Sequence, residues 1–281
     1  MFYINTLSIA GSDCSGGAGI QADIKTMSAL GCYASSVVTS VTVQDTKGVK
    51  DIFTLPPYII SEQIDAVMSD LDIKSVKIGM INDIDSINAI ADSLKKYIGI
   101  KIVCDPVMVS SHGQRLMDAE ALNLFVHKII PLSFILTPNI PETEVLTNIS
   151  INSFDDITNA AEKILDMGCS NVLIKGGHSE MGNDDIKTDY LFFRDEDNTL
   201  YHRRFSSPNV NTRNTHGTGC TLSSAISVFL AQENDVISSV AKAKTYVYNA
   251  LNEGRDVIVG DGIGPMNHFF NPIKTIKRSQ I

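Results

Sequence analysis

The strongest chemical signal in the chain is a glycine-rich run that leads directly into an apolar helix. It reads Asn214-Thr-His-Gly-Thr-Gly-Cys220, and the apolar pattern continues to Ala231. The first N–H groups of a helix have no internal partner, and glycines leave the backbone open to a ligand. We therefore predict an anion-binding site at this helix start. The residues that form it are Gly217, Thr218, Gly219 and Cys220.

Cys220 is also a candidate proton acceptor. It lies in the first helical turn, where the helix dipole lowers the pKa of a thiol. A lone cysteine is more often a small buried apolar residue, and we assign Cys32, Cys104 and Cys169 to that class. Cys14 fits either interpretation.

Two acidic residues follow neighbouring predicted strands and form a candidate cation site. Asp105 comes directly after the strand Ile102–Cys104, and Glu142 follows the strand Phe134–Leu136. Carboxylate oxygens are hard ligands, and Mg²⁺ binds one or two of them together with waters and phosphate oxygens. We therefore predict that Asp105 and Glu142 organise Mg²⁺. For Glu142 a second interpretation stays open, because the helix dipole stabilises an acid in the first turn of a helix.

A lysine ends a further predicted strand. Lys175 follows Val172–Ile174 and opens the run Lys175-Gly-Gly-His178. A lysine at the end of a buried strand is expected to reach an anion or a carboxylate. The two glycines leave room for a phosphate against the backbone, while His178 is expected to be a loop residue. Lys175 and His216 are both candidates for a cation beside a second phosphate group.

The glycine-rich link between the first strand and the first helix fits neither of two common nucleotide motifs. It spans Gly11–Gly19, but Gly17 and Ala18 stand where a P-loop needs Lys and Ser or Thr. The glycine spacing of a dinucleotide fingerprint is present, yet the acid expected about 20 positions later is missing. Because each glycine costs stability, we predict that this loop approaches a ligand closely.

The elements that must position these residues follow from the hydrophobic pattern. Short apolar runs alternate with longer amphipathic ones, which predicts an α/β fold with a mostly parallel central sheet and helices on both faces. The runs Tyr190–Phe193 and Leu200–His202 predict an antiparallel hairpin at one edge of the sheet. No linker rich in Pro, Gly or Ser divides residues 1–281, so we predict one domain. Ligands of such sheets bind beyond the carboxyl ends of the strands.

The composition narrows the class of protein. The chain has 281 residues with 23 Lys and Arg against 32 Asp and Glu, a net charge of −9, which argues against nucleic-acid binding. The five cysteines are odd in number and include no C-x-x-C pair, which favours a reducing cytoplasm over a disulfide framework. No signal-peptide pattern and no membrane-spanning apolar run is present, so we expect no membrane partner.

The motifs occur in an order that resembles the ribokinase superfamily. Within that superfamily the chain looks most like the hydroxymethylpyrimidine and phosphomethylpyrimidine kinases of thiamine biosynthesis. The matching segments are Ile9–Asp13, Gly16–Asp23, Val41–Gln44, Lys77–Met80, Asp105–Met108, Thr137–Glu142, Lys175–His178 and Asn214–Ser224. This resemblance implies a ribokinase-like three-layer sandwich, a kinase that uses ATP and Mg²⁺, small-molecule substrates and a homodimer.

The resemblance also implies roles for individual residues. Cys220 stands where most members of the superfamily carry an aspartate base, and the backbone from Gly217 to Cys220 holds the transferring phosphoryl group. Asp23 lies near the hydroxymethyl group of the pyrimidine, and Gln44 contacts its ring nitrogens. Pocket walls are implied for Gly11, Met80 and Val107, metal binding for Asp105 and Glu142, and nucleotide binding for Lys175, Asn139 and Thr218.

Three other functions stay open. The first is a vitamin B6 kinase, or a kinase for both compounds, because pyridoxal and the pyrimidine are similar heteroaromatic alcohols. The second is a hydrolase with Cys220 as nucleophile and His216 as its base, which requires a third group to orient the histidine. The third is a non-catalytic module that binds a sugar or a nucleotide; the acids at the strand ends make it the weakest of the three.

Overall fold

The computed structural model describes residues 1–108, 117–176 and 185–279. The strands are β1 (Phe2–Tyr3), β2 (Asn5–Asp13), β3 (Tyr33–Asp45), β4 (Gly48–Thr54), β5 (Ile73–Ile78), β6 (Lys101–Cys104), β7 (Ile135–Leu136), β8 (Asn171–Lys175), β9 (Ile186–Arg194), β10 (Leu200–Pro208) and β11 (Lys277–Arg278). The helices are α1 (Gly19–Ala29), α2 (Pro57–Asp70), α3 (Ile84–Leu94), α4 (Ala119–Lys128), α5 (Ile140–Thr147), α6 (Phe154–Asp166), α7 (Thr218–Ala231) and α8 (Val236–Gly254).

Nine of these strands form one sheet in the order β10-β9-β8-β7-β6-β5-β2-β3-β4. The six strands from β8 to β3 in that order run parallel, as predicted from the alternation of strands and helices. β9 and β10 add an antiparallel hairpin at one edge, which confirms the predicted hairpin.

The other edge differs from the expectation, because β4 pairs antiparallel with the end of β3. Its sequence, Gly-Val-Lys-Asp-Ile-Phe-Thr, carries two charges and lacks a long apolar run, so the hydrophobic pattern does not reveal it. The long partner β3 supplies the backbone groups that make it a strand.

Helices cover both faces of the sheet and confirm the predicted three layers. On one face α2 to α6 pack on alternate strand residues such as Leu7, Ile9 and Val76. On the other face α7 and α8 pack on Val103 and Leu173, and α1 joins them. Within the described ranges, no helix has the length and apolarity needed to cross a bilayer.

Candidate active site

The carboxyl ends of the parallel strands bring the predicted charged residues together. Lys175, the last residue of β8, places Nζ 2.8 Å from Oδ1 of Asp105 and 3.9 Å from Oε2 of Glu142. Asp105 follows β6 directly, so the three groups share one edge of the sheet. Asp105 and Glu142 are buried, and Lys175 is mostly buried. The prediction that Lys175 reaches a carboxylate is confirmed.

The start of α7 lies against this charged cluster. A Cβ atom added to Gly219 would lie 3.2 Å from Oδ2 of Asp105 and 3.4 Å from Nζ of Lys175. The helix start therefore leaves its free N–H groups beside two carboxylates and an ammonium group. A side chain at this position would fill the space that a bound anion needs.

Glu142 has two structural partners, and both interpretations of it describe real contacts. Its Oε2 accepts the N–H of Asn139, and Oδ1 of Asn139 accepts the N–H of Glu142, each at 2.8 Å, which is a capping box for α5. The same Oε2 faces Lys175. Burial raises the pKa of Glu142 to about 7, although the Lys175 ammonium opposes that shift.

Burial disfavours the charge of Lys175, but the two carboxylates outweigh it. Asp105 and Glu142 raise the pKa of Lys175 above its ordinary value. The ammonium is therefore fixed between the carboxylates, and a nucleotide phosphate would be an additional partner. The contacts predicted for Lys175, Asn139 and Thr218 with a nucleotide stay predictions.

The structure corrects the expected acidity of Cys220. Burial raises the pKa of its thiol to about 11, and the carboxylates of Asp23 and Asp105 add to that effect. The ammonium of Lys77 and the N–H of Gly19 lower it by less. The expectation of a lowered pKa is wrong because the helix start is closed in by the rest of the site. Cys220 is a thiol, not a thiolate, at neutral pH.

Asp23 lies in the interior, not on the surface of the pocket. Lys77 donates to both of its carboxylate oxygens, at 2.9 and 2.8 Å, and Ser8 and Ser224 donate at 2.6 and 2.7 Å. Asp23 and Lys77 are both 0% exposed. A carboxylate so enclosed acts on the site through the groups it holds, and its predicted contact with a hydroxymethyl group stays a prediction.

The two glycine-rich segments of the chain pack against each other. Gly217 has a φ of +81°, in the left-handed region that favours glycine, and a Cβ there would collide with the carbonyl oxygen of Gly17. The first loop itself is held by Asp13, whose carboxylate accepts the N–H groups of Ser15, Gly17 and Ala18 at 2.9, 3.1 and 2.8 Å. The glycines thus serve backbone contact between two loops as well as any contact with a ligand.

Asp13 also connects the loop to two predicted pocket residues. Nε2 of His216 lies 2.9 Å from Oδ2 of Asp13 and 3.1 Å from the amide nitrogen of Gln44. Burial opposes ionisation of Asp13, but hydrogen bonds from His216, Ser15 and Ala18 outweigh it and lower its pKa to about 2. A hydrolase would need Nε2 or Nδ1 of His216 to serve the thiol of Cys220, whereas Nε2 serves Asp13.

The predicted pocket walls adjoin this group. A side chain on Gly11 would meet the end of Met80 and Oγ of Ser40. Val107 follows Asp105 closely, and its N–H donates to the Asp105 carbonyl at 2.8 Å. Cys14 is exposed, and its Sγ lies 3.1 Å from the carbonyl oxygen of Gln44. Gly11 and Met80 therefore lie together, as a shared wall requires.

Sequence reasoning gave no role to the segment that follows α8. Its N–H groups at Ile263 and Gly262 donate to the carbonyl and hydroxyl of Thr46 at 2.8 and 3.0 Å. The N–H of His216 donates to the carbonyl of Gly264 at 3.0 Å. The alternate glycines at 260, 262 and 264 were the available signal, because each marks a close approach of backbone to another group.

Two further residues were missed. Asp13 opens the glycine loop, and an aspartate whose side chain binds the backbone two residues later is a common turn former. Lys77 stands within a buried strand, where an ionised lysine requires a partner. Both signals were visible in the sequence, but neither identifies the partner.

Comparison with known proteins gives consistent results. Residues 13–267 match the family model described as phosphomethylpyrimidine kinase. Over 264 residues the chain is 43% identical to the thiamine biosynthesis bifunctional protein ThiED of Geobacter sulfurreducens, covering 94% of this chain but only 52% of that longer protein. It is 44% identical to the hydroxymethylpyrimidine/phosphomethylpyrimidine kinase of Rhizobium meliloti, covering 94% and 96% of the two chains.

A solved structure shares the fold. The pyridoxal kinase of Staphylococcus aureus in complex with AMP-PCP and pyridoxal superposes with a TM-score of 0.84 at 28% identity, covering 98% of this chain and 97% of that one.

Proposed function

Because the chain belongs to the phosphomethylpyrimidine kinase family, we propose that it phosphorylates 4-amino-5-hydroxymethyl-2-methylpyrimidine with ATP, and then the resulting monophosphate, in thiamine biosynthesis. The fold is ribokinase-like, as the similar pyridoxal kinase shows. The observation that carries the proposal is the approach of Gly219 to Asp105 and Lys175. It sets an anion-binding helix start beside the charges that a transferring phosphoryl group needs.

In the first step the hydroxyl oxygen of the pyrimidine bonds to the γ-phosphorus of ATP, and the bond from that phosphorus to the bridging oxygen breaks. ADP leaves with the electron pair of that bond. Phosphoryl transfer passes through a loose transition state, so alignment and charge neutralisation matter more than a strong base. Cys220, as a thiol, holds the hydroxyl group in line, and an oxygen of the transferred phosphoryl group accepts the proton. The N–H groups of Gly217–Cys220 stabilise the charge on that group.

The residues present also fit Mg²⁺. Asp105 and Glu142 share one ammonium, that of Lys175, and the raised pKa of Glu142 shows that this second negative charge lacks full compensation. Among the residues that the structure describes, no group of three His, Cys, Asp or Glu side chains could hold a metal by itself. Mg²⁺ keeps several waters and takes one or two carboxylates, so Asp105 and Glu142 would hold it. When bound it would neutralise phosphate charge.

The decisive experiment is an ATP-consumption assay with the pyrimidine, its monophosphate and pyridoxal side by side. We expect the highest kcat/KM with the pyrimidine and clear turnover of its monophosphate. A preference for pyridoxal would replace the proposal with a vitamin B6 kinase, which the similarity to the Staphylococcus aureus enzyme makes the second candidate. No ATP consumption with any of the three would refute both.

The metal assignment has its own test. Asp105→Asn should weaken the binding of Mg²⁺–nucleotide in calorimetry and raise the Mg²⁺ concentration needed for half-maximal activity. Asp118→Asn, at the N-cap of α4 and remote from β8 in sequence, is the control. Titrations of Asp105→Asn that match the unmodified protein would remove Asp105 from the metal site.

We further propose that the enzyme acts in the cytoplasm as a homodimer. All five cysteines are free, which suits a reducing compartment. The described part of the sheet ends at β10 and β4, and either edge offers unpaired backbone groups for a second copy. Sedimentation at several protein concentrations measures the oligomeric state, and a monomer throughout would contradict the dimer.

A further inference from the structure

Three side chains from distant parts of the sequence meet at one end of the pocket. Asp13 ends β2, Gln44 lies near the end of β3, and His216 precedes α7. Asp13 and His216 are 3% and 4% exposed, so bulk water does not separate them. The backbone of His216 is fixed by Gly264, and its ring lies against Gly17.

The partners of His216 determine which ring nitrogen carries a proton. Asp13 has a pKa of about 2 and is ionised at neutral pH, so its carboxylate only accepts hydrogen bonds. Nε2 of His216 is 2.9 Å from that carboxylate. A bare nitrogen lone pair facing a carboxylate at this distance would be repelled, so Nε2 carries the proton and donates it to Asp13.

The protonated Nε2 in turn constrains the amide of Gln44. The amide nitrogen is the nearer atom in the structure, 3.1 Å from Nε2, and it too carries only protons. A half-turn about the last side-chain bond exchanges the amide nitrogen and oxygen within the same outline. Only the amide oxygen can accept from Nε2, so this second orientation is the favoured one.

The opposite side of the amide supports the same orientation. Oγ1 of Thr42 donates to the carbonyl of Ser12 at 2.9 Å and lies 3.3 Å from the other amide atom of Gln44. Because its single proton is already used, the Thr42 hydroxyl offers a lone pair to Gln44. The amide nitrogen fills that place and donates. Every group in the chain from Asp13 to Ser12 is then satisfied.

We propose that Asp13 and His216 are positioning residues that fix the polarity of the Gln44 amide. They thereby select heteroaromatic alcohols that carry an exocyclic amino group next to a ring nitrogen. The inference rests on the proposed function, in which Gln44 contacts the ring. With its oxygen held at His216 and its nitrogen at Thr42, Gln44 presents one acceptor and one donor in a fixed order. An amino group beside a ring nitrogen matches that order, whereas the 4-oxo counterpart, with a ring N–H, reverses it.

The test compares the two pyrimidines in three proteins. The substrates are 4-amino-5-hydroxymethyl-2-methylpyrimidine and its 4-oxo analogue, and the readout is the ratio of their kcat/KM values. His216→Met fills the space of the ring without a donor, so the ratio should fall by about tenfold or more, since Gln44 can then turn. His216→Gln places an N–H near the position of Nε2 and should restore most of the ratio. KM for ATP should stay unchanged in both.

Each outcome decides the matter. An unchanged ratio in His216→Met overturns the proposal, and an equal loss in both variants shows that ring packing, not the donor, is responsible. Selective ¹⁵N labelling of histidine tests the premise without any activity, with His216→Gln identifying the signal. We expect the proton on Nε2 above pH 7, and a proton on Nδ1 alone overturns the proposal. Failure of the unmodified enzyme to turn over either pyrimidine would instead count against the proposed function.

Discussion

The ammonium of Lys77 contacts both carboxylate oxygens of Asp23, at 2.9 and 2.8 Å, and neither side chain is exposed to solvent. The pair joins β5 to α1, and Ser224 of α7 donates to the same carboxylate. Three elements that surround the site are thus tied at one buried point, directly behind the helix start that carries Cys220.

Breaking this pair from one side should destabilise the protein strongly. Lys77→Met or Asp23→Asn leaves a buried group without its partner, at a cost of about 3–5 kcal/mol. The double variant should cost less than the sum of the two, as urea unfolding will measure. The control is Lys74→Met, because Lys74 pairs with Asp72 on the surface and should change stability by less than about 1 kcal/mol. Additive single effects would contradict the coupling.

Glu142 should make stability depend on pH. Its folded pKa of about 7 lies above the ordinary value of 4.5, so between these values the folded protein binds the proton more tightly than the unfolded chain. The free energy of unfolding should therefore fall as pH rises through this window. In Glu142→Gln, which keeps the capping box, that part of the fall should vanish.

Urea unfolding at pH 5 and pH 8 measures the difference. The matched control is Glu120→Gln, in the first turn of α4, where the side chain is exposed. If Glu142→Gln and the unmodified protein lose the same stability between the two pH values, the pKa of Glu142 is not raised.

Two alanine substitutions should separate folding from catalysis. Gly217→Ala needs a strained φ of +81° and a clash with Gly17, so it should lower the melting temperature and the yield. Gly219→Ala fits the helix but puts a methyl group 3.2 Å from Asp105, so it should lower kcat while the melting temperature hardly changes. Thermal unfolding and steady-state rates of both variants are needed. The reverse pattern would show that Gly219 only packs.

Cys220→Ala should lower kcat with little change in KM. Loss of a general base typically costs about 10²–10⁴-fold, and we expect the lower end, because a pKa of about 11 leaves little thiolate to act as a base. Cys169→Ala, at a buried site remote from the pocket, is the control for lost thiol volume. An unchanged kcat in Cys220→Ala would assign this thiol to packing alone.

The sequence predicted the parts of the fold that local pattern controls. Apolar runs and helical periodicity placed the parallel strands and most helices, and the strand ends identified Asp105 and Lys175 as neighbours. Pairing across long separations was not visible: β4 is a strand only because β3 extends beside it. The same holds for the pKa of Cys220, which local position would lower and which burial by the assembled site raises.

The pairing of Asp13 with His216 also has a consequence in time. The two residues are 203 positions apart, and a ribosome adding about 5–20 residues per second needs roughly 10–40 s to cover that distance. Throughout that interval the nascent glycine loop holds an aspartate without its histidine, and the segment that fixes Thr46 and Gly264 emerges later still. The recognition end of the pocket is therefore the last part to mature, and a chain cut short before Gly264 would carry most of the sheet yet lack an ordered place to read its substrate.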